Sequence, residues 1–351
     1  MSNFLPNALI ERLNEQEGFD SEAFMQIHEE GEKITSIRLN SSKGNSVAFF
    51  DHMKPVPWCD RGYYLQERPV FTLDPLYHAG CYYVQEASSM FLAHLIGEIG
   101  LADTGIRALD LCAAPGGKST LMNSYLGKDS LLVSNEVIKS RVNILSDNIL
   151  RWGSSNVVVT NNDPSAFSRL PGYFDLMVVD APCSGSGMFR KDRQAIDEWS
   201  LSNVKLCSDR QKRILAESIE TLKTDGYLVY STCSYSKEEN EDLVDWLITH
   251  YDFQPVAIEV DPSWNIELTH SEEHGAPSYR FYPHRLKGEG FFVAVLKKKA
   301  EQATFNRRKG KEERSLVPKD VLKQWITSAE NNTAFMHNDN IHVFPKSYEE
   351  D

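Results

Sequence analysis

Two cysteines stand out because each follows a short apolar run that is typical of a buried strand. Cys183 lies in the sequence Asp180-Ala-Pro-Cys-Ser-Gly-Ser-Gly187, and Cys233 lies in Tyr230-Ser-Thr-Cys-Ser234. Loops that follow parallel strands commonly carry reactive side chains. The thiolate is the strongest ordinary nucleophile among protein side chains, although a free thiol is mostly protonated at neutral pH. Both cysteines are therefore candidates for nucleophilic chemistry.

The other cysteines lack such surroundings. Cys207 falls in a helical pattern, while Cys59 and Cys81 lie in the front of the chain, so packing is the expected role of all three. Cys112 lies in a turn, where it can line a pocket. The six cysteines show no C-x-x-C spacing, so we expect free thiols, with neither a disulfide framework nor a metal site.

A third segment of interest, residues 108–119, joins an apolar run to a glycine-containing turn that opens a helix. Doubly wound folds hold nucleotides at such turns, where Gly116 and Gly117 let the backbone approach a ligand. A phosphate-binding P-loop would need a glycine in place of Cys112, and the dinucleotide fingerprint G-x-G-x-x-G is absent. S-adenosylmethionine, which carries adenosine without a pyrophosphate, fits the remaining pattern.

Two acidic residues follow the next apolar runs. We predict that Glu136 accepts hydrogen bonds from the ribose hydroxyls and that Asp163 bonds the adenine amino group. Each carboxylate alone is as well explained by a helix cap or a turn. Lys118 either contacts the ligand or is an exposed lysine at a helix start. The predicted cofactor contacts are Cys112, Ala113, Ala114, Pro115, Gly116, Gly117, Lys118, Glu136, Asp163 and Asp180.

From residue 106 onward, short apolar runs alternate with helical segments, which indicates βαβ units, a parallel sheet and the α/β fold class. The predicted strands are 106–111, 131–134, 157–160, 176–179 and 227–230, with a further strand, 290–296, at the far side of the sheet. The predicted helices are 118–126, 138–152, 204–222 and 237–250. Residues 321–344 suggest the start of another unit.

Composition limits the classes of partner. The 351 residues are 41% hydrophobic and carry a net charge of −13, which argues against nucleic-acid binding by bulk attraction. An RNA contact would need a local basic patch, and solvated surface charge is as good an explanation of each cluster. The chain has no apolar run long enough for a bilayer and no secretory leader, so we expect a cytoplasmic protein. The candidate patches are 190–193, 280–285, 297–299 and 307–311.

Three motifs together resemble those of the RNA cytosine-C5 methyltransferases, the family of the Sun proteins. They are Asp110-Leu-Cys-Ala-Ala-Pro-Gly-Gly-Lys118, Asp180-Ala-Pro-Cys-Ser-Gly-Ser-Gly187 and Ser231-Thr-Cys-Ser-Tyr-Ser-Lys-Glu-Glu-Asn240. Segments of the front region, such as Ser36-Ile-Arg-Leu-Asn40 and Tyr82-Tyr-Val-Gln-Glu-Ala-Ser-Ser-Met90, resemble the bacterial members that act on 16S rRNA. The resemblance spans about residues 5–298. It implies a Rossmann-like class I methyltransferase sheet preceded by a small α+β domain.

The resemblance also implies roles for individual residues. The family assigns attack on carbon 6 of cytosine to the cysteine of the Thr-Cys motif, here Cys233. It assigns product release to the cysteine of the Pro-Cys motif, here Cys183, and Asp180 is expected to bond the base. Tyr82, Tyr83 and Phe189 are candidates for stacking on exposed bases, with core packing as the alternative.

We expect an accessory or RNA-binding domain at 1–100, a methyltransferase domain at 101–300 and a basic linker at 301–351. Longer members continue into a C-terminal RNA-binding domain, and the linker is expected to lead into a reduced or truncated form of it. The expected partner is 16S rRNA or the small ribosomal subunit, with a monomeric enzyme and no membrane or metal. Three alternatives stay open: a tRNA enzyme, a DNA cytosine methyltransferase with Cys183 as nucleophile, and a non-catalytic assembly factor.

Overall fold

The computed structural model describes residues 5–16, 19–43, 52–301, 317–326, 329–337 and 339–348. Its helices are α1 (Asn7–Asn14), α2 (Ser21–Glu30), α3 (Pro75–His78), α4 (Leu92–Glu98), α5 (Gly117–Tyr125), α6 (Lys139–Trp152), α7 (Gln194–Glu198), α8 (Leu201–Ser218), α9 (Glu241–Tyr251) and α10 (Lys319–Leu322). Its strands are β1 (Thr35–Leu39), β2 (Lys54–Val56), β3 (Cys59–Leu65), β4 (Tyr82–Val84), β5 (Arg107–Asp110), β6 (Leu131–Asn135), β7 (Val157–Thr160), β8 (Phe174–Asp180), β9 (Leu222–Thr232), β10 (Phe253–Pro255), β11 (Glu267–His270), β12 (Pro277–Phe281), β13 (Phe291–Lys298), β14 (Asn332–His337) and β15 (Asn340–Pro345).

The central feature is a mixed sheet in the order β11-β12-β13-β9-β8-β5-β6-β7, with β10 paired to β13. Strands β7, β6, β5, β8 and β9 run parallel, and β13 joins β9 antiparallel. Chain order reverses between β5 and β8, which is the type of switch point where such sheets bind ligands beyond the carboxyl ends of their strands. The predicted α/β, Rossmann-like fold class is confirmed.

The predicted strand 290–296 was placed wrongly at the far side of the sheet. As β13 it lies inside the sheet, between β9 and β12, with β10 also paired to it. The hairpin β11–β12, which the sequence analysis missed, extends the sheet beyond it. Helix α8 also ends earlier than predicted, at Ser218, and Leu222 already begins β9. Leu222 is fully buried in the core of the sheet, so tertiary packing decides its conformation there.

The front of the chain forms an antiparallel sheet in the order β2-β3-β1-β4. This sheet shares its core with the central sheet, because Val56 and Trp58 pack in the same cluster as Phe281 and Val293. The guanidinium of Arg38 on β1 is completely buried against α5 and lies over the ring of Trp152 in a cation–π contact. Its nitrogens donate to Gln85 Oε1 at 2.8 Å, Thr120 Oγ1 at 2.7 Å and Ser124 Oγ at 3.1 Å.

Near the end of the chain, β14 and β15 form a separate antiparallel pair. They fall within or beside the segment 321–344 that was predicted to start another unit. The predicted basic cluster 307–311 lies outside the described residues. Among the helices of the described ranges, none combines the length and apolar character that crossing a membrane demands.

Three backbone segments meet at Gly187. Its N–H donates to Cys233 O at 2.8 Å, and its own carbonyl accepts from Gly290 N at 3.0 Å. A Cβ placed on Gly187 would lie 2.5 Å from Gly290 O and 2.9 Å from Cys233 O. The two motifs that contain the candidate cysteines are thus joined where no side chain fits.

We predict that Gly187→Ala lowers the free energy of unfolding by roughly 1–3 kcal/mol, because backbone atoms would have to move apart to admit the methyl group. The measurement is the midpoint of urea unfolding, followed by circular dichroism. Gly97→Ala is the matched control. Gly97 lies in α4 with nothing within 4 Å of an added Cβ, so this variant should gain up to about 1 kcal/mol. Equal effects of the two substitutions would contradict the close approach at Gly187.

Candidate active site

The two candidate cysteines meet at the carboxyl ends of neighbouring strands. Strands β8 and β9 are parallel partners, with Asp180 in register with Ser231. The loops beyond them bring Cys183 Sγ to 3.1 Å from Cys233 Sγ, and both side chains are partly buried. Both thiols are free. The contact with Cys233 raises the pKa of the Cys183 thiol well above its usual range, and burial adds to this effect.

A cleft of about 330 Å³ opens beside this pair. Its lining includes residues 112–115, 117 and 118 of the glycine-containing turn, together with Cys233, Gly290 and Phe291. Cys233 therefore borders the same space as the loop predicted to bind the cofactor. Cys183 does not line the cleft, but its sulfur contacts that of Cys233, which does.

Lys118 and Asp180 form an ion pair across this cleft. Lys118 Nζ lies 2.7 Å from Asp180 Oδ2, and the lysine side chain is only 12% exposed. The other carboxylate oxygen of Asp180 accepts from Ser231 Oγ at 2.9 Å. The exposed-lysine explanation of Lys118 is thus wrong. The pair fixes the carboxylate of Asp180, which is 39% exposed, at the edge of the space that a ligand would enter.

The turn after β5 has the properties that an S-adenosylmethionine site needs. Asp110, at the end of β5, accepts from Ser119 Oγ at 2.6 Å, while its second oxygen is buried without a partner. An unpaired carboxylate oxygen can accept from an ammonium group, but Asp110 is fully buried and does not itself line the cleft. At Gly117 an added Cβ would meet the Tyr83 ring at 3.5 Å, so glycine leaves this part of the cleft open. The residues present fit the cofactor.

Gly116, Glu136 and Asp163 are predicted cofactor residues that do not line the cleft. Gly116 precedes α5 with φ of 110°, a conformation that favours glycine. Glu136 is buried, accepts from Ile138 N at 2.8 Å and lies 3.4 Å from Arg141, which itself lines the cleft. Asp163 begins a short helix and accepts from Ser165, which lowers the pKa of its carboxyl. Neither carboxylate is among the residues that line the cleft, so their ribose and adenine contacts stay predictions.

Sequence reasoning identified only Tyr83 in one wall of the cleft. This wall contains Tyr83, Gln85, Glu86 and Glu289. The carboxylate of Glu86 accepts from Ser88 N, Ser89 N and Glu289 N, each at 2.9 Å, and so ties the front region to the segment before β13. Three of these four residues lie in the segment 82–90, where the sequence analysis considered Tyr83 for base stacking but gave Gln85 and Glu86 no individual role. Glu289 gave no signal, since it lies outside every motif.

Only one of the three aromatic residues proposed for base stacking faces the cleft. Tyr82 and Phe189 are each 1% exposed and belong to apolar cores, so the stacking hypothesis is wrong for both. Tyr83 lines the cleft and is partly buried, and burial raises the pKa of its hydroxyl to about 12.

The predicted basic patches mix buried and exposed residues. Arg190 is buried and pairs with Glu289 at 3.1 Å, and Arg280 is buried and pairs with Glu241 at 2.5 Å. The Lys298 side chain is 1% exposed. Lys191 is the member that lines the cleft. Solvated or internally paired charge is thus the better explanation of most of these clusters.

A larger surface cleft, about 650 Å³, lies near α1 and β11. Six of its charged side chains are paired with one another, because Arg280 pairs with Glu241, Arg285 with Glu267 and Lys237 with Glu272. It contains neither cysteine of the pair. The larger volume of this cleft is therefore not evidence that it is the active site.

Burial raises the pKa of Asp110 to about 7 from an ordinary value of 3.8. The folded state therefore disfavours the ionised carboxylate, and the stability present below pH 4 is lost as the pH rises towards 7. We predict that the stability of Asp110→Asn relative to wild type increases from pH 4 to pH 8, by on the order of 4 kcal/mol at most. Melting temperatures of both proteins across this pH range test the prediction. The slope of their stability difference against pH is not affected by any pH-independent destabilisation that the amide causes.

Asp163→Asn is the control for this experiment. The pKa of Asp163 is lowered by Ser165, so its ionised form favours the folded state and its loss should act in the opposite direction, weakly, because the group is exposed. A flat difference for Asp110→Asn would show that its carboxyl is ionised at ordinary pH.

Known proteins resemble this chain over most of its length. Residues 102–297 match the family model described as 16S rRNA methyltransferase RsmB/F, and residues 5–87 match the N-terminal domain of 16S rRNA methyltransferase RsmF. The ribosomal RNA small subunit methyltransferase F of Erwinia tasmaniensis is 35% identical over 76% of this chain, and that of Shewanella piezotolerans is 36% identical over 75%. The chain spans 57% of the length of each of these curated relatives.

Solved structures show the same fold. The methyltransferase homolog protein from Pyrococcus horikoshii is 26% identical, with a TM-score of 0.67 over 84% of this chain and all of that one. NSun6 from Pyrococcus horikoshii, solved with the S-adenosylmethionine analogue SFG, is 20% identical, with a TM-score of 0.70 over 86% of this chain and all of that one. Fold, motifs and the match over 102–297 agree, and the chain belongs to the RsmB/F family of 16S rRNA methyltransferases.

Proposed function

We propose that this chain catalyses S-adenosylmethionine-dependent methylation of carbon 5 of a cytosine in 16S rRNA, through a covalent adduct with Cys233. The observation that carries the proposal is the single cleft shared by Cys233 and the turn from Cys112 to Lys118. The names of the relatives support the choice of 16S rRNA. We infer that the protein works in the cytoplasm as a monomer and that its regions divide near residues 100 and 300.

Carbon 5 of cytosine is a poor nucleophile until electron density is raised there. The Cys233 thiol first loses its proton. The resulting thiolate bonds to carbon 6, and the ring electrons shift so that carbon 5 can take a methyl group. S-adenosylmethionine, when bound, supplies that methyl group in electrophilic form. Asp180, fixed by Lys118 and Ser231, accepts a hydrogen bond from the exocyclic amine and holds the ring in place.

Product release needs a base for the proton on carbon 5. Loss of that proton returns its bonding electrons to the ring, which expels Cys233 as a thiolate. Cys183 is suited to this step because its sulfur lies 3.1 Å from that of Cys233. A thiol whose pKa is raised is also a stronger base once ionised. A cytosine in a duplex would first have to leave its stack, which costs a few kcal/mol.

We predict that Cys233→Ala abolishes both methylation and adduct formation, while Cys183→Ala allows the adduct to form and accumulate. Each variant would be incubated with S-adenosylmethionine and 16S rRNA transcripts with and without 5-fluorocytidine, whose fluorine blocks release. Adducts are counted on denaturing gels and methyl groups by bisulfite sequencing. Cys207→Ala, a buried thiol on α8, is the control and should keep at least about half of the activity.

Other results would redirect the proposal. Adducts that need Cys183 and survive loss of Cys233 would make Cys183 the nucleophile, as in DNA cytosine methyltransferases. Bisulfite sequencing of a deletion strain that shows a lost tRNA signal beside unchanged rRNA would change the substrate. Calorimetry without S-adenosylmethionine binding would favour a non-catalytic assembly factor.

A further inference from the structure

A buried carboxylate lies behind the thiol pair. Glu239 closes the short helix Lys237–Glu239 and is completely buried. Its oxygens accept four hydrogen bonds, from Ser184 N at 2.7 Å, Ser184 Oγ at 2.5 Å, Ser234 Oγ at 2.5 Å and Gln211 Nε2 at 3.2 Å. All four donors are neutral groups. The mechanism described above does not use this residue.

The donors are the immediate neighbours of the two cysteines. Ser184 follows Cys183 in the loop after β8, and Ser234 follows Cys233 in the loop after β9. One carboxylate therefore bonds both loops at the residue next to each thiol. The hydroxyls of Ser184 and Ser234 are also 3.2 Å apart, so the two loops touch at this point.

Two amides complete the arrangement. Gln211 on α8 also donates to Pro182 O at 3.0 Å, on the other side of Cys183. Asn240 accepts from Thr232 Oγ1 at 2.6 Å and donates to Ser234 O at 2.8 Å, so it holds both neighbours of Cys233. Each thiol is thus flanked by residues that are bonded to Glu239 or Asn240, directly or through Gln211.

Burial of a carboxylate is costly unless its hydrogen bonds repay the lost hydration. Burial raises the pKa of Glu239 even though every hydrogen bond that it accepts acts against this shift. An apolar residue would fill the position at lower cost, but it could not bond two separate loops. The charge is therefore better explained by the geometry that it imposes than by stability.

We propose that Glu239 is a positioning residue that holds the loop of Cys183 and the loop of Cys233 in register, so that both sulfurs reach one pyrimidine ring. The inference rests on the proposed function, in which Cys233 bonds carbon 6 and Cys183 serves the neighbouring carbon 5. Carbon 5 and carbon 6 are adjacent in the ring, so a small displacement of one loop would leave only one of the two sulfurs within reach of its carbon. Misplacement by about 1 Å can cost a hundredfold in rate.

Phenylarsine oxide tests the register without RNA or a methyl donor. It condenses with two thiols to form two arsenic–sulfur bonds and one water, and it needs sulfurs that are already close together. Wild-type protein should bind it far more tightly than Cys183→Ala, which supplies the single-thiol background. Glu239→Ala should weaken binding by about tenfold or more. Unchanged affinity in Glu239→Ala, or no difference between wild type and Cys183→Ala, would overturn the proposal.

Conservative and milder variants separate geometry from folding. In Glu239→Gln the amide oxygen can accept from Ser184 N while its NH₂ donates to the two hydroxyls, so the affinity should stay within about threefold of wild type. Ser184→Ala and Ser234→Ala each remove one hydrogen bond and should fall between wild type and Glu239→Ala. These two variants keep the test decisive if Glu239→Ala does not fold, and wild-type affinity in both would then refute the proposal.

Asp245 provides a matched control for general loosening. It is a buried carboxylate on α9 that accepts from Glu273 N and His274 N, on a segment separate from both cysteine loops. Asp245→Ala should lower the melting temperature and leave the arsenical affinity unchanged. Equal loss of affinity in Asp245→Ala would show that Glu239 acts only through stability.

Methylation assays give the complementary readout. Glu239→Ala should lower kcat about tenfold or more with little change in the KM for rRNA, and Glu239→Gln should restore most of it. Failure of the whole chain to methylate 16S rRNA would refute the proposed function and leave the arsenical result interpretable. A normal kcat in Glu239→Ala would refute the positioning role alone.

Discussion

The contact between Cys183 and Cys233 depends on the parallel pairing of β8 and β9. Parallel neighbours end at the same edge of a sheet, so the residues that follow them are brought within a few ångströms although they are 50 positions apart in sequence. An antiparallel arrangement would send these two loops to opposite edges. The remaining features of the cleft are arranged around this edge, with the turn after β5 beside it and the segment before β13 closing the far side.

The front region contributes directly to the cleft. Arg38 joins the small sheet to α5 through two hydrogen bonds, to Thr120 and Ser124, and Glu86 joins the same region to the backbone of Glu289. Buried ionic groups of this kind add little net stability when compared with apolar packing, but they allow few alternative arrangements. The small sheet is therefore held in a fixed position relative to the turn after β5.

The sequence alone predicted the part of the fold that local patterns control. The parallel strands, the helices between them and the positions of both cysteines after strand ends follow from short apolar runs and from turns. The pairing of β13 inside the sheet depends on contacts more than 60 residues apart, from Tyr230 to Ala294, and no local pattern reports such contacts. The hairpin β11–β12 gave no strand signal because its hydrophobic pattern does not follow its burial: Leu268 is exposed, whereas Ser278 and Arg280 are buried.

For the candidate site too, motifs predicted which residues take part, whereas their contacts and burial became visible only in the structure. Lys118 and Asp180 were chosen from motifs, and the structure adds their ion pair. Glu238 and Glu239 are neighbours of the same type, yet only Glu239 is fully buried, and a sequence cannot show which of the two faces inward. Asp163 was chosen for its place after a strand, but its side chain bonds Ser165 within its own turn. Local hydrogen bonds of this type compete with ligand contacts and are invisible in a motif.

The backbone junction at Gly187 has a consequence for substrate entry. Gly187 bonds both Cys233 and Gly290, so the two cysteine loops and the segment before β13 form one continuous hydrogen-bonded unit. Under the proposed function, a pyrimidine that enters the cleft would meet surfaces that are already assembled, so these loops would lose little conformational entropy on binding. In the proposed function, reorganisation on substrate entry would then fall mainly on the RNA strand rather than on these loops.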